Sequence, residues 1–261
     1  MKFTPCALVA SGCLAFLPGS LHAQTYYDLD FSNHVQATNA NYRGLGAYYT
    51  GTTFDFLNVA PTSGQNIDFR GSVSNVSSGY AWNGAFPDYS TSNGQPDGDL
   101  GYFYQANAAG IGGINYNLNF YRGGGSFSSA FVVPDFRLMI YDVDGEATQS
   151  ESVRVRVSQG FYGYRLPILG GITVTNEGNG NYLFTGPGVN RPENDPSAAF
   201  ILYYRNTSNI TLGMVSNTSA SSNLPNGVFS AIDGDLSMLA GDLSSFGNII
   251  LVPEPTTATL A

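Results

Sequence analysis

The stretch that decides the fold is Ile114-Asn115-Tyr116-Asn117-Leu118-Asn119-Phe120-Tyr121. Ile114, Tyr116, Leu118 and Phe120 alternate with Asn115, Asn117, Asn119 and Tyr121, a period of two. Successive side chains of a β-strand point to opposite faces, so the pattern predicts one buried face and one wet face with an asparagine ladder. The alternation recurs downstream. Val153, Val155 and Val157 interleave with Ser152, Arg154 and Arg156, while Phe136, Leu138 and Ile140 interleave with Arg137, Met139 and Tyr141. Further strands are predicted over 25–31, 47–57, 66–76, 100–106, 171–175, 181–185, 198–205, 209–215, 227–232 and 247–252. Turn residues separate them, among them Asn93-Gly94, Gly123-Gly124-Gly125, Gly178-Asn179-Gly180 and Asn226-Gly227. Many short strands with Gly, Asn and Asp turns predict an all-β fold: a two-sheet antiparallel β-sandwich of jelly-roll type, one domain over 24–251. At most one short helix is expected. Leu236, Leu239, Leu243 and Phe246 sit at helical spacing behind Asp235, a residue suited to an N-cap.

Composition narrows the function classes. Of 261 residues only 11% are charged, against about 25% in a typical globular domain. Seventeen Tyr and 17 Phe accompany that low charge, which excludes disorder for the bulk of the chain. The formal net charge of -9 argues against a phosphate-binding surface, so nucleic acid is not an expected partner.

Both ends read as addresses. Lys2, the apolar run Cys6–Leu17, the helix breakers Pro18-Gly19 and Leu21-His22-Ala23 match a secretory signal peptide over 1–23, cleaved after Ala23. Such a segment sends the protein out by the Sec pathway, and the apolar run is too short for a comfortable membrane span. Cleavage removes Cys6, Cys13, Lys2 and His22. The mature chain then has no Cys, no Lys, nine Arg and one His, His34, with a net charge of -10. An exported chain without Cys is held by its core and not by disulfides, which fits a Gram-negative bacterial protein better than a eukaryotic extracellular one.

At the other end, residues 252–261 begin with Val252-Pro253-Glu254-Pro255 and continue Thr256-Thr257-Ala258-Thr259-Leu260-Ala261. This segment resembles the start of the PEP-CTERM sorting signal of exported bacterial proteins. In that family the motif precedes a membrane-spanning apolar helix and an Arg-rich tail. The resemblance implies processing by an exosortase-type membrane enzyme and a place in the exopolysaccharide matrix, or biofilm. The six residues after Pro255 include three Thr, whereas a span needs ~20 apolar residues, so two expectations stand: the sequence is a piece of a longer chain that carries the helix and Arg cluster, or the signal is lost and the protein is simply secreted.

The mature inventory removes whole chemistries. Without Cys there is no thiol nucleophile, thiolate zinc site or iron–sulfur cluster, and without Lys no Schiff base. His34 lies in the polar stretch Ser32-Asn33-His34-Val35-Gln36 with no Gly-x-Ser-x-Gly, and reads as an exposed loop residue. Carboxylates remain. Asp142, Asp144 and Glu146 cluster at one hairpin with Glu151 nearby, a set of hard oxygens suited to calcium but out of the EF-hand register. The plainer reading is an Asx-type turn in which those carboxylates bond the loop backbone. The same acids, with Asp97, Asp99, Asp233 and Asp235, would supply the pair a glycosidase needs, although no spacing selects one. Trp82, in a Gly- and Asn-rich stretch, is the ring placed best to stack on a sugar. The expected function is therefore a structural or adhesive, non-catalytic protein of the surface or matrix. A lectin-like module that binds polysaccharide and a carboxylate-pair glycosidase are the alternatives.

Overall fold

A computed structural model describes residues 25–38, 53–74, 80–81, 99–106, 109–219, 228–239 and 242–253. The strands are β1 (His34–Thr38), β2 (Thr53–Phe56), β3 (Ile67–Ser74), β4 (Tyr80–Ala81), β5 (Leu100–Ala106), β6 (Gly110–Arg122), β7 (Val133–Tyr141) and β8 (Gln149–Arg156). They continue as β9 (Phe161–Arg165), β10 (Thr173–Gly178), β11 (Asn181–Thr185), β12 (Phe200–Thr207), β13 (Asn209–Thr218), β14 (Val228–Asp233) and β15 (Ile250–Leu251). The deciding stretch lies in β6, the longest strand at 13 residues, and its burial alternates as the residue pattern requires.

All named strands pair antiparallel in two sheets. One has the order β1-β2-β3-β6-β13-β8-β11-β10 and the other β15-β9-β12-β7-β14-β5-β4. Within them β6-β13-β8-β11 faces β5-β14-β7-β12, because from β5 onward the chain crosses from sheet to sheet at almost every connection. That interleaving is the jelly-roll order. The sheets meet through the alternate residues of each strand: Tyr116, Leu118, Phe120, Val153, Val155 and Phe184 from one, Phe136, Leu138, Ile140, Phe200, Leu202 and Tyr204 from the other. Aromatic rings bridge the two layers. Phe184 stacks on Phe200 at 4.5 Å and 10°, and Phe120 meets Phe136 edge-on at 5.2 Å. Each such pair contributes about 0.5–1.5 kcal/mol beyond the area it buries.

A second, smaller core lies on the outer face of the seven-stranded sheet. Met139, Tyr141, Tyr162, Ala199, Ile201, Tyr203 and Ala231 point away from the sandwich and are covered by Leu236 and Phe246. The segment that carries those two residues is not the helix expected from their spacing. Among its described residues only Ser237–Leu239 forms a 3-10 turn, and Leu236 has φ 64, a left-handed conformation that an α-helix does not accommodate. Two carboxylates cap it: Asp235 Oδ1 accepts from the Ser237 N–H at 2.8 Å, and the Asp233 carboxylate accepts from the backbone N–H of Asp235, Leu236 and Met238. The apolar spacing serves a strap laid across a sheet.

Two other segments differ from expectation. The expected strand 25–31 supplies only isolated bridges, Tyr27 to Phe136 and Leu29 to Gly234. The polar stretch at His34, expected as a loop, instead opens β1, an edge strand paired with β2. Edge strands need no alternating apolar face of their own, so the residue pattern carries no strand signal there.

Candidate functional site

The wet face predicted for β6 is the outer face of the eight-stranded sheet, and register builds it into an array. Asn117 lies beside Ser72 of β3 and Thr211 of β13, and Asn115 beside Ser74 and Gly213. Gly213 in turn faces Arg154 of β8, which faces Leu183 of β11. Side chains within a row stand one strand apart, about 4.8 Å, and rows repeat every second residue, about 6.8 Å. The array is bonded across its strands. Asn117 Nδ2 donates to Ser74 Oγ at 2.8 Å, Thr211 Oγ1 donates to Asn117 Oδ1 at 3.1 Å, and Gln159 Nε2 donates to Thr211 Oγ1 at 3.1 Å. Arg70 is clamped by Asp55 through bonds of 2.6 and 2.7 Å, and Arg154 by Glu177 at 2.5 and 2.8 Å. Amides and hydroxyls fixed in this way offer donors and acceptors to a partner without rotamer entropy left to lose.

The carboxylates at the end of β7 form a second candidate site. Asp142, Asp144 and Glu146 share one hairpin but do not converge. Glu146 turns back to accept from Thr148 Oγ1 at 2.9 Å, and the Asp144 carboxylate accepts from the backbone N–H of Arg191. Among the described residues no three His, Cys, Asp or Glu side chains group so as to hold a metal ion. What gathers instead is Asp142, Asp144 and Glu151, with Glu193 from the loop before β12. Burial, then the charges of Asp144 and Glu193, push the Asp142 carboxyl up to about 7. Burial also holds Glu151 well above the usual carboxylate range, reinforced by Asp144 and Asp142. Asp144 is raised by burial, against the N–H groups of Arg191 and Gly145 that favour its anion. The 186–193 loop locks onto this hairpin as Gly186 N donates to Glu151 O and Gly188 N to Asp144 O, at 2.9 and 2.7 Å. Glu193 and Arg191 carry no site signal in the sequence, because a loop some fifty positions away in the chain brings them there.

The tail motif starts inside the fold. Val252 is 6% exposed, packs in the main core and donates its N–H to Tyr162 O at 2.9 Å, while Pro253 is exposed. Glu254, Pro255, Trp82 and the 1–23 segment lie outside the described residues.

Fold and faces together define an all-β jelly-roll protein with one bonded polar sheet face and one strapped sheet face. No protein-family model matches the chain, and no curated protein matches it. Among solved structures, the chain is similar to the N-terminal domain of the Streptococcus gordonii adhesin Sgo0707, with 9% identity and a TM-score of 0.46. The match covers 79% of this chain and 51% of that one, so this chain spans about half the length of the chain it matches.

Proposed function

We propose that this is an exported structural or adhesive protein of a bacterial surface or exopolysaccharide matrix, acting by binding and not by catalysis. The supporting observation is the registered, internally bonded Asn/Ser/Thr array on the eight-stranded sheet. A half-exposed face of preorganised amides and hydroxyls matches the repeating hydroxyls of a neutral polysaccharide. The signal peptide and the Val252-Pro253-Glu254-Pro255 segment belong to the same reading, in which an exosortase-type enzyme recognises that segment. The test is retention of the purified chain on immobilised neutral glucan and galactan. An Asn115, Asn117 and Asn119 to Ala triple variant is expected to elute early with its fold intact by circular dichroism. Equal retention of variant and parent would remove the array from the function.

A carboxylate-pair glycosidase is favoured by one observation, the Asp142 carboxyl held near neutrality beside Asp144, an environment that suits a general acid. Hydrolysis of a polysaccharide by the parent and its loss in Asp142→Asn would establish that reading in place of the first.

A further inference from the structure

The outer face of the seven-stranded sheet carries a row of arginines on a tyrosine floor. Tyr26 and Tyr162 both pack on Tyr203, with ring centroids 5.4 and 6.2 Å away, and their hydroxyls are 3.3 Å apart. Three guanidiniums lie over these rings: Arg205 at 4.2 Å from Tyr162, Arg137 at 5.2 Å from Tyr26 and Arg165 at 6.0 Å from Tyr203. Strand register sets their order. Arg137 faces Tyr203, and Arg165 faces Ile201, four residues before Arg205 on β12. Four strand residues span about 13 Å, so the charges form a row and not a point.

These arginines differ from those of the opposite sheet, where Arg70 and Arg154 each grip a carboxylate through two short bonds. Arg137 reaches Asp28 only at 3.7 Å, and among the described residues Arg165 and Arg205 have no carboxylate oxygen within 4.0 Å. Asp135 stands opposite Arg205 in the β7–β12 register. The Nε donors of Arg137 and Arg165 are buried without a hydrogen-bond partner. A guanidinium held over an aromatic ring is preorganised, and its planar fork matches a carboxylate in two parallel bonds. The floor does not serve neutral sugars by stacking, since Tyr203 and Tyr162 are 1% and 8% exposed.

We propose that the Arg137–Arg165–Arg205 row binds an acidic polysaccharide, a chain of uronic acids whose successive carboxylates engage successive guanidiniums. The chain as a whole is acidic, with a net charge of -9, so its general field repels such a polymer. Binding must therefore be local, and its loss on local change is diagnostic. The site is separate from the neutral-glycan face, and either can fail without the other.

The experiment measures binding of the full chain to polygalacturonate at 50 and 500 mM NaCl. The parent is expected to bind at low salt and weaken at high salt, and an Arg165→Gln/Arg205→Gln double variant to bind at least tenfold more weakly with an unchanged melting temperature. Arg205→Lys keeps the charge without the fork and is expected to fall between the two. Because Arg205 is exposed, Arg205→Gln alone provides a folded variant if the double one is unstable. The Asn115, Asn117 and Asn119 to Ala variant is expected to bind polygalacturonate like the parent. No binding by the parent at low salt, or equal binding by the arginine variants, overturns the proposal. So does single-stranded DNA that binds as tightly and loses as much in the same variants, because the row would then read any polyanion.

Discussion

Substitution of Asp233 by Ala tests how the strap is held on the seven-stranded sheet. Asp233 is fully buried, and its carboxylate accepts the N–H groups of Asp235 at 3.0 Å, Leu236 at 2.5 Å and Met238 at 3.0 Å. Leu236 is itself fully buried, so its stranded N–H carries a full desolvation penalty of about 2–3 kcal/mol. Asp235 and Met238 are partly accessible and can recruit water, which limits each loss to about 0.5–1 kcal/mol. The sum, about 3–5 kcal/mol, is read by urea denaturation at pH 5.5. Amide exchange at Leu236 and Met238 is expected to accelerate more than in the β6–β13 ladder, which locates the damage in the strap. The deficit also has a pH signature. Burial raises the Asp233 carboxyl above its ordinary range despite the three donors. A group raised in the fold contributes stability that is complete below the unfolded pKa and lost as pH rises through the folded one. The parent therefore loses more than the variant between pH 5.5 and 8, and the gap narrows. A cost under about 1 kcal/mol at pH 5.5, or a gap that widens with pH, refutes the reasoning.

The Asp142 carboxyl, raised from 3.8 to about 7, should make the parent more stable at pH 5 than at pH 7.5. Full linkage across the window from about 4 to 7 would give about 4 kcal/mol; with the group partly solvated, about 2 kcal/mol is expected, and Asp142→Asn should flatten the slope. Tyr204 places a hydroxyl in the core with no hydrogen-bond partner, so Tyr204→Phe should raise stability by about 1 kcal/mol in thermal unfolding. A Cβ at Gly71 would lie 1.8 Å from Phe54 Cε2, so Gly71→Ala should cost about 1–3 kcal/mol, partly recovered by adding Phe54→Leu. Removing the buried Val252 side chain, by Val252→Ala, should speed exchange of its amide and expose the tail motif to added protease sooner than in the parent.

Much of the fold is legible in the amino-acid sequence. Alternation in 114–121 and 153–157 specifies both the strands and the side each residue faces, because a period of two has only one geometric meaning. The jelly roll follows from the number of short strands and their turns. The Asn179-Gly180 turn of the β10–β11 hairpin is an instance, with φ 51 and 74 as a tight hairpin turn needs. The strap is not legible, since helical spacing of Leu236, Leu239, Leu243 and Phe246 also suits an irregular segment that drops side chains onto a flat sheet. Nor is β1, because an edge strand is defined by its neighbour.

The candidate sites divide in the same way. The asparagine ladder is present in one strand's pattern, but its partners Ser72, Ser74 and Thr211 come from β3 and β13, which only register aligns. Asp142, Asp144 and Glu151 are neighbours in sequence, whereas Glu193 joins them only when the loop before β12 folds over the hairpin. The arginine row leaves no trace in the sequence at all. Arg137, Arg165 and Arg205 lie on three strands far apart in the chain, and antiparallel pairing alone brings them onto one tyrosine floor. Sequence determined which residues face outward, since that depends on the period of a single strand. Tertiary structure decided which outward residues stand together, since that depends on pairing between strands, and both proposed binding faces depend on those neighbours.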